Sequence, residues 1–199
     1  HGYPATVCAS VNNQVVHGIP SNRPLVEGDI LSIDMGAKLD GYYGDSAVTV
    51  AIGPVSESAA ALLRVTEESL FHGIEAVRPG ARVTDIGAAV QQHVEAHGYS
   101  VVREFCGHGI GRGFHEEPQV LHYGRPGTGE KLVAGMTFTI EPMINAGRRE
   151  IRTMPDQWTV KTKDRSLSAQ WEHTLLVTPT GVEVLTWSEG SNPPPDCVA

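Results

Sequence analysis

The sequence predicts an α+β fold in which one antiparallel sheet motif is built twice. Gly28-Asp-Ile-Leu-Ser-Ile-Asp34 lines up with Gly135-Met-Thr-Phe-Thr-Ile-Glu141: a glycine, a stretch containing Ser or Thr, an Ile, then an acid. Each is followed by a second acid that opens another apolar strand, Asp45-Ser-Ala-Val-Thr-Val50 and Glu172-His-Thr-Leu-Leu-Val177. Between the two copies, apolar residues recur at helical spacing from Ser56 to Gly98.

The acids make the duplication chemically informative. Asp40-Gly41 is a hairpin turn signal, and a turn there sets Asp34 and Asp45 on neighbouring positions of adjacent strands. Like charges so placed repel, and a buried carboxylate is costly unless it is paired or coordinates a metal. Lys38, at the turn, is the one basic residue near them in sequence. Four acids supplied two by two from paired strands are expected to meet at one centre and hold a cation.

Taken in order, TVCASV is an extended start, Asn12-Asn13 a turn, and His17 follows a short hairpin. Read alone, His17 is a surface loop histidine. After the acidic hairpin, Gly53-Pro54 breaks the sheet and Ser56 caps a helix, with Ala60, Leu63, Val65, Leu70, Ile74 and Val77 as its stripe up to Pro79-Gly80. Thr84 is expected to cap a second helix that turns Ile86, Val90 and Val94 inward and ends at Gly98. His72, His93 and His97 on these helices read as solvated. Ser100 to Phe105 is a strand running into CGHGIGRGFHEEP. That segment is no dinucleotide fingerprint, because Arg112 takes the third glycine position, and no P-loop. His115-Glu116-Glu117 is not the start of HExxH either, since Pro118 breaks the helix and residue 119 is Gln. His108 and His115 on a glycine-rich loop remain. Further on, Met136–Ile140 is a strand ended by Glu141-Pro142, and Trp158 to Thr162 another. Ala169 to Thr178 is expected to be one continuous strand bearing Glu172, from which His173 points the other way. Pro193-Pro194-Pro195 marks 191–199 as a disordered tail behind a single catalytic domain at 1–190.

The bulk figures bound the function. A chain of 199 residues has room for one sizeable core, and its 22 Gly and 13 Pro fit a loop-rich enzyme. A net charge of -8 argues against a nucleic-acid substrate. No apolar run reaches the length that spans a bilayer, and no signal peptide is visible. Cys8, Cys106 and Cys197 are odd in number and form no CxxC, which points to a reducing, cytoplasmic compartment.

Together, HGYP, VHGIP, DILSID…GYYGD, GHGIGRGFHEEP, TIEPM and WTVKTKDRSLSAQWEHT resemble the type I methionine aminopeptidases over roughly His1 to Trp187. The resemblance implies the pita-bread (creatinase/aminopeptidase-like) fold, a curved antiparallel sheet in two similar halves with helices on its outer face. It implies metal-dependent removal of initiator methionine from nascent chains whose second residue is small. Asp34, Asp45, His108, Glu141 and Glu172 would be the ligands of two divalent cations, Co, Mn, Fe or Zn. A hydroxide bridging the cations would attack the first peptide carbonyl. Glu141 would shuttle the proton, His115 would stabilise the oxyanion, and His17 would bond the substrate amide. Tyr3, Cys8, Phe114 and Trp158, with His17 at the edge, would form the methionine pocket. The family's N-terminal helix and further strand before HGYP are absent here, so part of that pocket wall is expected to be missing. The protein would work as a monomer on peptide N-termini, with ribosome contact a reasonable hypothesis. The alternatives are a proline-specific relative (an Xaa-Pro aminopeptidase or prolidase) and a non-catalytic binding relative.

Overall fold

A computed structural model gives the architecture and describes residues 2–187; the tail at 191–199 lies outside the described residues. The Asp40-Gly41 signal is realised as a long hairpin. Strands β3 (Ile30–Leu39) and β4 (Tyr42–Ala51) pair in antiparallel register around it. Asp40 and Gly41 take φ of 50° and 88°, the left-handed pair that a two-residue hairpin turn requires. β1 (Cys8–Val11) pairs on the other side of β3. The Asn12-Asn13 turn then leads into β2 (Gln14–Val16). Asn12 pins this corner: its Oδ1 accepts from Ile30 N at 3.0 Å and its Nδ2 donates to Asp29 Oδ1 at 2.7 Å.

Two helices follow. α1 (Glu57–Glu75) is capped by Ser56, whose hydroxyl accepts from Ala59 N at 3.2 Å. Its buried face is Ala59, Leu62, Val65, Leu70 and Ile74 with Thr66, Ser69 and Gly73, so the stripe is rotated from the sequence reading and Ala60 is exposed. α2 (Val83–Ala96) begins two residues earlier than expected, with Arg82 rather than Thr84 at the N-cap position. Asp85 accepts from Arg82 N at 2.8 Å, while the Thr84 hydroxyl binds the Thr128 backbone instead of capping. The loop at 124–129 thus competes successfully for the Thr84 side chain.

The second half is more broken than the sequence suggests. β5 is only Ser100–Val101, and the histidine-bearing glycine segment is itself a strand, β6 (Gly107–Gly109), beside β7 (Glu116–Val120). β8 (Thr137–Ile140) pairs with β6 and with β13 (His173–Val177), and β14 (Val182–Val184) closes the edge of this five-stranded sheet. β9 (Met143–Asn145), β10 (Ile151–Thr153), β11 (Val160–Thr162) and β12 (Ser168–Gln170) complete two further three-stranded sheets. The continuous strand expected from Ala169 to Thr178 is therefore split. β12 pairs with β9, β13 pairs with β8, and Trp171-Glu172 is the joint between partners.

That joint ties the halves together. Ala47 of β4 and Glu172 form a bridge, with Glu172 N donating to Ala47 O at 2.8 Å. Beside it, the Thr49 hydroxyl donates to Gln170 O at 2.8 Å, and the Thr174 hydroxyl donates to Asp45 O at the same distance. The helices pack over the opposite side. Leu70, Ile74 and Ile86 meet Phe138, Ile140 and Leu175, while Leu62, Val90 and Val94 meet Ile30, Ile144 and Ala169. Burying such apolar area is the main stabilising term. It leaves the side of the sheets away from the helices to form the site.

Candidate metal centre

The four acids converge because of strand register. Asp34 sits opposite Ala47 and Gly36 opposite Asp45, so the two aspartates are diagonal neighbours on one face of the β3–β4 hairpin. In the second half Ile140 sits opposite His173; carried one residue on, that register sets Glu141 against Glu172. The Ala47–Glu172 bridge then brings the two pairs side by side. The duplication is thus real but inexact, diagonal in one half and directly opposed in the other.

His108 enters from β6. Its backbone N donates to the Thr139 hydroxyl at 3.0 Å, and that hydroxyl donates to Glu141 Oε1 at 2.9 Å. Its Nδ1 lies 2.9 Å from Gly109 O, and since a carbonyl only accepts, Nδ1 carries the proton. The lone pair is therefore on Nε2, which lies 3.6 Å from Glu141 Oε1 and 3.8 Å from Asp45 Oδ2. Ligand-type atoms of Asp45, His108 and Glu172 all fall within 4.8 Å of one another, and all three residues are buried.

Asp45 Oδ1 and Glu172 Oε1 are buried with no hydrogen-bond partner. Orphaned carboxylate oxygens of this kind are rare, because each costs its full desolvation. Burial, reinforced by repulsion from Asp45, pushes Asp34 up to about 7. Burial raises Asp45 to about 6 against the opposing Ser46 N–H. Burial also drives Glu141 and Glu172 well above the ordinary carboxylate range, Thr139 opposing it at Glu141 and the other acids adding to it at Glu172. Divalent cations resolve this strain, and an oxygen-rich set with one imidazole suits first-row metals of intermediate softness. The donor set therefore fits.

All residues nominated from the sequence for ligation, catalysis or substrate binding line one cavity of about 540 Å³. The acids and His108 form one part of its wall. Tyr3, Cys8, Phe105, Phe114, Met143 and Trp158 supply an aromatic and sulfur-bearing part. Tyr3 stands edge-on to Trp158 at 5.3 Å and its hydroxyl donates to Gly18 O at 2.7 Å, which fixes the ring. Burial pushes the Cys8 thiol up to about 11, so it serves as a neutral apolar surface. His17 lies between Phe105 and Trp158, with ring centroids at 5.5 and 6.4 Å. It is no surface loop histidine: burial lowers its pKa, and its φ of 56° is a strained left-handed conformation of the kind that gathers at functional sites. The His115 ring is 4.2 Å from that of His108. Burial and then the neighbouring His108 hold it neutral at pH 7. His173 turns away as expected, its Nδ1 at 2.8 Å from the Thr186 hydroxyl.

Sequence reasoning missed Phe105, Met143 and His122. His122 is fully buried behind the centre, and its Nε2 accepts from Glu141 N at 3.0 Å. Burial lowers it to about 3, so it stays a neutral acceptor. Its one sequence signal is a histidine among apolar residues in VLHY. The glycines of CGHGIG, expected to form a loop, have a different reason. A Cβ on Gly107 would lie 2.2 Å from Thr139 O and one on Gly109 2.1 Å from Glu117 O. They are glycine so that β6 can pack between β8 and β7.

Residues 1–179 match the model of metallopeptidase family M24. The chain belongs to this family. Within M24 it is 57% identical over 187 residues to the methionine aminopeptidase of Escherichia coli K12, covering 94% of this chain and 71% of that relative. The methionine aminopeptidase of Rickettsia prowazekii superposes with a TM-score of 0.92 at 50% identity, covering 93% of this chain and 75% of that structure. A Pyrococcus horikoshii prolidase superposes with a TM-score of 0.72 at 24% identity, over 94% of this chain and 49% of its own. That likeness shows the shared pita-bread fold alone. The M24 relatives with high identity are methionine aminopeptidases, so the proline-specific alternative is set aside, and the protein is a metallo-aminopeptidase.

Proposed function

We propose that this protein removes the initiator methionine from peptides and nascent chains whose second residue is small, using two divalent cations held by Asp34, Asp45, His108, Glu141 and Glu172. The observation that carries the reading is the pair of orphaned buried oxygens, on Asp45 and Glu172, at the end of an aromatic, sulfur-bearing cavity. When bound, the cations supply Lewis acidity and a water acidified toward ~7. Every other task falls to side chains of this chain.

Glu141, whose Oε1 lies 3.6 Å from His108 Nε2, takes the proton of the attacking water and passes it to the leaving amine. His115, neutral at pH 7, donates an N–H to the carbonyl oxygen as negative charge develops there. His17, held by Phe105 and Trp158, bonds the amide region of the scissile peptide. Tyr3, Cys8, Phe114 and Trp158 enclose an unbranched thioether, for which polarizable sulfur and ring edges are favourable neighbours. The free amine meets the acidic end of the cavity, which accounts for action at N-termini only. We take residues 1–190 as one catalytic domain, monomeric and cytoplasmic, meeting its substrates as they leave the ribosome.

The deciding experiment measures methionine release from Met-Ala-Ser by metal-stripped protein before and after adding Co(II) or Mn(II), with Arg-Pro alongside. Metal-restored cleavage of Met-Ala-Ser alone is expected. Cleavage of Arg-Pro alone, or no uptake of metal, would overturn the reading.

A further inference from the structure

Helices α1 and α2 carry a second group of ligand-type side chains that peptide cleavage does not use. Glu68 and His72 stand four residues apart on α1, and His93 of α2 stands four residues before His97, the C-cap residue of that helix, so each pair shares a face. The two faces meet. His93 Nε2 lies 3.1 Å from Glu68 Oε2, and the His93 ring centroid is 4.4 Å from that of His72 and 4.5 Å from that of His97. One ligand atom from each of Glu68, His93 and His97 falls within 4.8 Å of the others. Ligands at ~2.0–2.1 Å from a tetrahedral ion are on the order of 3.3 Å apart, so a small rotamer adjustment closes the set.

The local bonding leaves the right atoms available. His97 Nδ1 donates to His93 O at 2.9 Å, which puts its lone pair on Nε2. Arg64 Nη1 donates to Glu68 Oε1 at 3.1 Å and more loosely to Oε2 at 3.4 Å, and Oε2 faces His93 Nε2 at 3.1 Å. Burial and then the two neighbouring imidazoles lower the His93 pKa against the pull of Glu68, which favours the neutral, ligating ring. No residue lining the catalytic cavity belongs to α1 or α2, so the two groups are separate.

We propose that Glu68, His93 and His97, with His72 as a further ligand, form a second site for a first-row divalent cation of the Zn(II) or Ni(II) type, tying α1 to α2. Imidazole-rich ligation favours these ions over Mg(II) or Mn(II). The site stands whether or not the catalytic reading does. An ion bound there would hold the two helices that cover the core, and stabilise the folded state by mass action.

The test titrates Ni(II) into the metal-stripped protein by calorimetry and records thermal unfolding with and without Ni(II). The proteins compared are wild type, His93→Ala/His97→Ala, Glu68→Gln, and Asp45→Asn/His108→Ala. Wild type should take up one equivalent more than His93→Ala/His97→Ala, and Asp45→Asn/His108→Ala should keep that equivalent. Glu68→Gln should weaken it at least ~10-fold, the lower bound for disturbing even an outer-shell partner. Cu(II) at the site should show nitrogen couplings by electron paramagnetic resonance that His93→Ala/His97→Ala lacks. Methionine release with Mn(II) should be the same in wild type and in Glu68→Gln. Equal Ni(II) uptake by wild type and His93→Ala/His97→Ala overturns the proposal. If that variant does not fold, unchanged Ni(II) affinity in Glu68→Gln and His97→Ala overturns it equally.

Discussion

At the residue scale the site is governed by the cost of burying charge. Asp34 and Asp45, raised to about 7 and about 6, hold protons that must leave when a cation binds. Mn(II) affinity of the stripped protein should therefore rise steeply between pH 5.5 and 7.5, with protons released to the buffer. Calorimetry in buffers of different ionisation enthalpy measures that release, and a pH-independent affinity would contradict the ligand assignment. His122 offers a second case. His122→Ala removes the acceptor for Glu141 N and leaves a buried N–H unpaired, which costs about 1–3 kcal/mol. Denaturant unfolding should show that loss, and kcat should fall more than KM changes, because Glu141 is displaced while the pocket residues are not. The acids were legible in the sequence because isolated charges inside strand patterns have few explanations. His122 was not, because a buried histidine accepting one backbone bond looks like any other residue of an apolar run.

At the scale of elements, close backbone packing decides what the sequence shows only as glycine. Gly109→Ala would put a methyl group 2.1 Å from Glu117 O, a backbone atom that cannot swing aside. Overpacking of this kind costs about 1–3 kcal/mol. It should lower the melting temperature and, by moving β6, the metal affinity set by His108. Gly36→Ala differs, since its Cβ would meet the Phe114 ring at 2.5 Å. The ring can move, so fold stability should hold while KM for Met-Ala-Ser rises, a split that steady-state kinetics resolves. The long hairpin and both helices were readable from periodicity and turn chemistry. The break at Trp171-Glu172 was not, because no Gly or Pro marks it within AQWEHTLLVT; it faces the interruption at Glu141-Pro142 between β8 and β9, which only long-range pairing carries across.

At the scale of the whole molecule, metal and fold are linked. A carboxyl whose pKa is raised on folding binds its proton more tightly folded than unfolded. Its contribution to stability is full below the unfolded value of ~4 and is lost as pH rises toward the folded value. For the stripped protein that window runs up to about 6 for Asp45 and about 7 for Asp34. Melting temperature without metal should fall from pH 5 to pH 7.5, and Mn(II) should abolish the fall. An opposite slope would show that other groups dominate. The pseudo-two-fold plan was legible because the strand–acid pattern occurs twice, but its inexact register was not. Nothing in a one-dimensional alignment distinguishes a diagonal pair of acids from a facing pair.

The bridge between Ala47 and Glu172 carries one more consequence. It consists of two backbone hydrogen bonds between segments 125 residues apart in the chain, and it lies directly beside the acids. The two halves separate only if it opens, so the exchange of the Glu172 amide proton with deuterium is a clock for that event. A bound cation would slow this clock far more than it slows amides within the β3–β4 hairpin. Metal occupancy would thus be readable in the lifetime of a single backbone proton, with no substrate added.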